Sequence, residues 1–167
     1  TDPANPLNTI QTGEVTSQGI EASAVANVTS AFKVRASYTY NDLETTGTTV
    51  AGALGKVPTG LPEHTASLWG NYTIESGPLA GLGFGAGVRY VGSTWADTAN
   101  TIKVPDLTLV DAAIHYDFGV ATSQLKGLRL AVNAANIFDK HYYSTCSATS
   151  CNEGFSRTVR ATLSYRW

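Results

Sequence analysis

The chain ends with the sequence Arg157-Thr-Val-Arg-Ala-Thr-Leu-Ser-Tyr-Arg-Trp167, in which polar and apolar side chains alternate without a break from Thr158 onward. Successive side chains of a β-strand point to opposite faces of a sheet. One face of the predicted strand is therefore apolar and consists of Val159, Ala161, Leu163, Tyr165 and Trp167. The opposite face, with two arginines and two hydroxyl residues, suits water, whereas the apolar face suits lipid or a second sheet.

Six more segments alternate with the same period of two, and we predict each as a strand. They are residues 15–28, 32–43, 64–74, 82–90, 110–118 and 128–134. Apart from Asp42, near the end of the second segment, none of the seven apolar faces carries Lys, Arg, Asp or Glu. The charged residues lie on the opposite faces: Lys33, Arg35, Arg89, Asp111, Asp117, Arg129, Arg160 and Arg166. A one-residue slip of register would place these charges in hydrocarbon, at about 2–4 kcal/mol for each Arg or Lys near the midplane, so the pattern predicts a membrane-spanning sheet of fixed register.

The composition also favours an outer-membrane β-barrel. Only 14% of the 167 residues are charged, against about 25% in a soluble domain, and the chain has 16 Gly, eight Tyr and three Trp. No apolar run is long enough for a transmembrane helix. The net charge of -2 argues against a nucleic-acid surface. Because no signal peptide begins the sequence, we expect a processed chain or a piece of a longer one.

The predicted connections alternate between short and long. Residues 29–31, 76–81 and 119–127 are short connections, whereas 44–63, 92–106 and 139–155 are long and rich in small and polar residues. Outer-membrane barrels have short periplasmic turns and long extracellular loops, and a C-terminal strand that ends in the periplasm gives this arrangement. The predicted periplasmic aromatic girdle is Tyr72, Tyr116, Phe118, Tyr165 and Trp167. The predicted outer girdle is Tyr38, Tyr40, Tyr90 and Phe138.

Two cysteines, Cys146 and Cys151, lie in a polar, Ser-rich stretch. A disulfide between them would imply an oxidising compartment, and the alternative is two unpaired thiols. A bridge across so small a loop would contribute about 2 kcal/mol, which can hold a loop tip but not a fold.

Asp111 and His115 share the polar face of one predicted strand, with Asp117 beyond them, and a serine elsewhere could complete a hydrolytic triad. We favour a different interpretation, in which these carboxylates pair with arginines of neighbouring strands inside a hydrated barrel. No serine lies in the sharp turn that a nucleophile requires.

The glycine-rich run 81–87 superficially resembles a dinucleotide-binding loop, but no helix is predicted after it. Its glycines fall on the polar face of a strand, which predicts close packing against a plug or a bend in the strand. The three histidines, His64, His115 and His141, share no short spacing of the kind that metal ligation uses.

Several segments together resemble the C-terminal third of TonB-dependent siderophore receptors, and the resemblance spans nearly the whole chain. The segments are 19–21, 37–42, 61–69, 87–93, 104–111, 133–140 and 157–167. The most specific of them is the run Asn133-Ala-Ala-Asn-Ile-Phe-Asp-Lys-His-Tyr142. The cysteine pair resembles the final extracellular loop of ferric hydroxamate receptors of the ferrichrome type.

The resemblance implies an all-β fold, a transmembrane antiparallel meander barrel of 22 strands, of which residues 1–167 would supply about seven C-terminal ones. It implies that a plug domain, absent from this chain, fills the barrel and that TonB drives import through contact with the plug. The expected partners are outer-membrane lipid, a ferric siderophore as the transported ligand, TonB and the rest of the same receptor. We expect no covalently bound cofactor, no nucleic acid and no enzymatic activity.

The candidate ligand contacts lie in or beside the long loops: Trp95, His141, Tyr142, Tyr143 and Phe155. A siderophore supplies the iron ligands itself, so its receptor needs contact area and a few hydrogen bonds instead of metal ligands. The alternative is that these residues belong to the girdle or pack within their loops, because the family's main contacts also come from the plug and from other loops.

Two other functions compete with the receptor hypothesis. One is a stand-alone outer-membrane barrel of about eight strands with a structural or adhesin role, in which residues 1–11 add a strand. Pro3 and Pro6 argue against that strand. The other is a soluble, lectin-like β-sandwich, which would have to bury its apolar faces against one another.

Overall fold

The computed structural model describes residues 13–167 and consists mainly of one seven-stranded antiparallel sheet. The elements, in chain order, are β1 (Glu14–Asn27), β2 (Phe32–Gly47), β3 (His64–Thr73), β4 (Leu82–Val91), β5 (Thr94–Trp95), β6 (Lys103–Val104), β7 (Leu107–Asp117), α1 (Phe118–Ala121), β8 (Leu128–Ala135), β9 (Tyr143–Cys146), β10 (Cys151–Glu153) and β11 (Thr158–Tyr165). The main sheet has the order β1-β2-β3-β4-β7-β8-β11, so each strand pairs with its neighbour along the chain. This meander confirms all seven predicted strands.

The strand register places the seven apolar faces on one side of the sheet. Directly opposed residues share a face, and one such line crosses every strand: Ala26, Val34, Gly70, Ala86, Ala112, Ala134 and Val159. The adjacent line lies on the other side: Asn27, Lys33, Asn71, Gly85, Ala113, Asn133 and Arg160. We call these two sides the apolar face and the polar face.

The apolar face is open. Ile20 and Leu163 are each 66% exposed and Leu68 is 50% exposed, whereas the buried apolar residues of the described chain are Ala53, Ala96 and Leu109. An extended apolar surface of this kind is unfavourable in water and suits the hydrocarbon of a membrane. A β-sandwich would bury these side chains between two sheets, and the structure excludes it. Among residues 13–167, no helix is both long and apolar enough to cross a membrane.

The sheet is also open at its two edges. β1 and β11 stand at its ends and, within residues 13–167, do not pair with each other. The closed eight-stranded barrel is therefore not formed by the described strands, and the extra strand considered for residues 1–11 lies outside them. Unpaired edges are untenable in a bilayer, so both need further strands.

Two side chains of the polar face explain the glycine-rich β4. The Trp69 ring of β3 lies over Gly85 and Gly87, and the His115 ring of β7 lies over Gly83, so closely that no Cβ fits at any of the three glycines. The close packing predicted for these glycines is thus present, but residues of the same sheet supply it.

The short connections lie at one end of the sheet, which we call the turn end. Asp117 ends β7 and caps α1 by accepting a hydrogen bond from the Gly119 N–H at 3.1 Å. The prediction that β7 continues through Phe118 is wrong, because this cap turns the chain into the helix. The Phe118 ring still contacts that of Tyr116, at 4.9 Å between centroids.

The long connections lie at the opposite end, the loop end, and two of them contain short hairpins that the sequence analysis did not predict. Residues 92–106, the β4–β7 loop, contain β5 and β6, and residues 136–157, the disulfide loop, contain β9 and β10. At the same end of the apolar face, the His64 ring stacks on the Tyr40 ring with 5.1 Å between centroids. The Nδ1 atom of His64 shares a hydrogen bond of 2.9 Å with the Tyr38 hydroxyl. This cluster contains Tyr38 and Tyr40, two residues of the predicted outer girdle.

Candidate functional site

The loop end carries a cavity of about 460 Å³ between the β4–β7 loop and the disulfide loop. Val104, Pro105, Asp106 and Leu107 form one wall, and the facing wall is formed by Lys140, His141, Tyr142, Tyr143 and Glu153. Three of the five predicted ligand contacts therefore line one cavity. Its walls combine aromatic and aliphatic surface with a few charged groups, which is the usual character of a small-molecule site.

Tyr142 and Tyr143 also line a second, smaller cavity of about 210 Å³, which reaches down to the polar face of the sheet. Arg89 of β4 and Leu109 of β7 form its floor, and Leu109 is only 4% exposed. The two tyrosines thus line both the cavity at the loop end and the cavity that Arg89 lines on the polar face.

The Cys146–Cys151 disulfide is formed and confirms the predicted pairing. It joins two directly opposed residues at the tip of the β9–β10 hairpin. The tip is closed further by the Ser147 N–H, which donates to the Ser150 carbonyl at 2.7 Å. Beside it, a third cavity of about 520 Å³ lies between this hairpin and Ile102, Lys103 and Val104. The disulfide therefore stiffens a wall of the candidate site.

Trp95 and Phe155 line none of these three cavities. Trp95 lies in β5, where Lys103 Nζ is 5.9 Å from the centre of its ring and the Trp95 carbonyl accepts a hydrogen bond from Gly60. Phe155 is 86% exposed. The sequence placed both in the correct loops, but position along a loop does not determine which way a side chain points.

The polar face carries a bidentate ion pair whose arginine lines the smaller cavity. Arg89 donates to Asp111 from Nε at 2.5 Å and from Nη2 at 3.0 Å. The predicted pairing of Asp111 with an arginine of a neighbouring strand is therefore confirmed. His115, in contrast, lies over Gly83, and its pairing with Asp111 in a hydrolytic triad finds no support in this geometry.

Asn136 is the most informative residue that the sequence analysis did not single out as a site residue. It is only 3% exposed, has a positive φ of 53° and lies just after β8. Its amide side chain hydrogen-bonds with Lys140 and Phe155 backbone groups. The one sequence signal was its place in the Asn-x-x-Asn-Ile-Phe-Asp-Lys run, which indicated a family but no role.

The β4–β7 loop is ordered by two polar side chains. Asp97 accepts hydrogen bonds from the backbone N–H groups of Ile102 and Thr101, at 2.7 and 2.9 Å. These bonds, that from Ile102 most strongly, hold the pKa of the Asp97 carboxyl below its usual value. Asn100 exchanges two hydrogen bonds with the backbone of Val57, at 2.8 and 2.9 Å, and so joins this loop to the β2–β3 loop.

Within residues 13–167, no group of three or more His, Cys, Asp or Glu side chains is arranged to hold a metal ion.

Known proteins similar to this chain are outer-membrane receptors. The ferrichrome outer membrane transporter/phage receptor of Escherichia coli strain K12 is 40% identical over 99% of this chain, and the ferrioxamine receptor of Yersinia enterocolitica is 41% identical over 93%. The chain spans 22% and 21% of their lengths, about a fifth of each.

Solved structures of siderophore receptors match the fold of this chain. The siderophore receptor PiuA from Acinetobacter baumannii matches with a TM-score of 0.73 and 27% identity, over 92% of this chain and 22% of that one. The ferric preacinetobactin receptor BauA from the same species matches with a TM-score of 0.77 at 23% identity over 93% of this chain and 23% of that one, which supports the fold.

The family described as TonB dependent receptor-like, beta-barrel, matches residues 1–137. This family consists of receptors and transporters, in agreement with the expectation that the chain is not an enzyme. The open apolar face, the meander and the alternation of short and long connections are those of an outer-membrane barrel wall. The chain belongs to the TonB-dependent receptor β-barrel family and forms part of a barrel in the outer membrane.

Proposed function

We propose that this chain supplies part of the barrel wall and three external loops of a receptor that imports ferric siderophores. The observation that carries the proposal is the cavity at the loop end, whose aromatic wall of His141, Tyr142 and Tyr143 belongs to a barrel of the TonB-dependent receptor family. A ferrichrome transporter and a ferrioxamine receptor are among the proteins that match nearly the whole chain.

The ligand that we propose is a ferric hydroxamate, taken up as the intact chelate. The siderophore holds the iron, so the receptor has to match its outer surface of carbonyl and apolar groups. Tyr142 and Tyr143 offer ring surface with a hydroxyl at the edge, and Lys140 adds a cationic hydrogen-bond donor.

The rest of the machinery would come from other parts of the same receptor. We propose that further strands pair with the edges of β1 and β11, that a plug domain fills the barrel against the polar face, and that TonB acts through that plug. The unpaired edges and the matched fifth of each relative support this division.

The test is uptake of radioactive iron as ferrichrome or ferrioxamine B by a strain whose only hydroxamate receptor is the intact receptor carrying this chain. We expect saturable uptake that depends on TonB. Replacing Tyr142 or Tyr143 by alanine should raise the half-saturating concentration by about tenfold, equivalent to about 1.4 kcal/mol.

Leu54→Ala is the control, because Leu54 is 65% exposed in another loop at the same end and lines none of the three cavities described. Alanine at Trp95 or Phe155 decides in the same assay whether either residue also contacts the ligand. The proposal fails if the receptor takes up neither chelate, or if the tyrosine variants behave like Leu54→Ala.

A further inference from the structure

We propose that Asn136 is a positioning residue, which fastens the disulfide loop to the polar face of the barrel and thereby sets the shape of the cavities lined by Tyr142 and Tyr143. The part that concerns ligand affinity rests on the proposed function. The part that concerns the loop is tested without a ligand.

The Asn136 side chain joins the two ends of the disulfide loop. Its Nδ2 donates to the carbonyls of Lys140 and Phe155, at 2.9 and 3.3 Å, and its Oδ1 accepts from the Lys140 N–H at 2.9 Å. Lys140 follows shortly after the loop begins, and Phe155 lies close to its end. One buried amide therefore closes the base of a loop of more than 20 residues.

The Asn136 backbone joins that base to the sheet. Its N–H donates to Asp111 Oδ1 at 2.9 Å, and the same oxygen accepts from Arg89 Nη2 at 3.0 Å. Asp111 belongs to β7 and Arg89 to β4, so the loop base is held by two strands of the polar face. A carboxylate that accepts hydrogen bonds from an arginine and from a backbone N–H at once orients both donors.

The network returns to the site through Tyr142. The Gly154 N–H, next to Phe155, donates to the Tyr142 carbonyl at 2.8 Å, and the Tyr142 ring occupies the space in which a Cβ of residue 154 would lie. Tyr142 and Arg89 then line the same cavity of about 210 Å³. A chain of contacts thus runs from Arg89 through Asp111 to Asn136 and Phe155, and continues from Gly154, the neighbour of Phe155, to Tyr142. Its two ends, Arg89 and Tyr142, both line that cavity.

The Asn136 amide is the link of this chain of contacts that can be removed with least disturbance. Glycine accepts the positive φ of residue 136 without strain, so Asn136→Gly keeps the turn and deletes only the side-chain hydrogen bonds. The control is Asn133→Ala in the same sequence run, because the Asn133 side chain is exposed on the polar face and makes none of these bonds.

The first measurement is hydrogen exchange of the intact receptor in detergent, without ligand. Asn136→Gly should raise exchange about tenfold or more for the backbone N–H groups of Lys140 and Gly154, with the strands of the main sheet unchanged. Asn133→Ala should leave both groups protected. Unchanged exchange in Asn136→Gly would overturn the proposal whatever the receptor binds.

The second measurement is the concentration dependence of ferrichrome and ferrioxamine B uptake. A positioning role predicts that Asn136→Gly raises the half-saturating concentration about tenfold at an unchanged maximal rate. A merely structural role would lower the maximal rate through loss of folded receptor, with the half-saturating concentration unchanged, and that result would overturn the inference. If the unmodified receptor transports neither chelate, the proposed function fails, and the exchange result still decides the role of Asn136 in the loop.

Discussion

At the scale of single residues, the polar face of β4 depends on side chains of its neighbours. Trp69 from β3 occupies the space above Gly85 and Gly87, and His115 from β7 occupies the space above Gly83. A large ring next to a glycine covers backbone that would otherwise have no packing partner, so a pair of this kind is a structural unit. The glycines predict close packing from sequence, but only the strand register reveals which residues provide it.

Gly85→Ala should destabilise the barrel, because the new Cβ would lie 2.5 Å from Trp69 Cζ2. Overpacking of this kind costs about 1–3 kcal/mol. Unfolding of the intact receptor by urea in detergent measures the loss. Gly70→Ala is the control, since its Cβ would meet the Phe32 ring at 3.4 Å, which is ordinary contact. Addition of Trp69→Ala should relieve the clash, and a double variant that is no better than the sum of the two single ones would refute this explanation.

Asp97 should make the β4–β7 loop sensitive to acid. The pKa of its carboxyl in the folded protein is lowered, chiefly by the hydrogen bond from the Ile102 N–H. The carboxylate therefore stabilises the loop fully above the ordinary carboxyl pKa, and this stabilisation is lost as the pH falls through the lowered pKa. Exchange of the Thr101 and Ile102 N–H groups, corrected for intrinsic rates, should therefore rise only in strong acid. Asp97→Asn should abolish that dependence. A transition above the ordinary carboxyl pKa would contradict the assignment.

At the scale of the elements, period-two alternation was sufficient to predict the seven long strands, because one side of each strand must exclude charge. It could not predict β5, β6, β9 and β10, since strands of two to four residues are too short to show a period. The sequence does not predict the helix α1, because the alternation of side chains continues through Phe118, and the Asp117 cap is revealed only by the structure. The inward position of Tyr142 depends on contacts with distant residues and has no local signal.

The separation of the two faces gives a direct test. Leu68 and Ser67 are adjacent in β3 and point to the apolar and the polar face, respectively. Leu68→Arg should lower the free energy of unfolding by roughly 2–4 kcal/mol, because the charge would face hydrocarbon. Ser67→Arg should cost less, because the new charge would lie on the polar face, where its cost is limited to repulsion from Arg89 directly opposite and to the lost hydrogen bond with Ser37. Equilibrium folding of the intact barrel into lipid vesicles measures both, and equal costs would contradict the assigned faces.

At the scale of the whole molecule, the seven strands form a wall without a core of its own. Few side chains are buried, the apolar face is open, and β1 and β11 lack partners on their outer sides within residues 13–167. Lipid would cover the apolar face, and further strands would cover the edges. The sequence predicted this incompleteness through the count of seven strands and the family resemblance.

The intact mass of the protein extracted from outer membranes, detected with an antibody against the Cys146–Cys151 hairpin, decides whether this chain is part of a full-length receptor. The chain has a mass of 17.6 kDa and spans 22% of its ferrichrome-transporting relative, so we expect a mass about four to five times larger. A mass near 17.6 kDa would contradict this expectation, because a receptor that imports siderophores would then lack the strands and the plug that we assign to the rest of the protein.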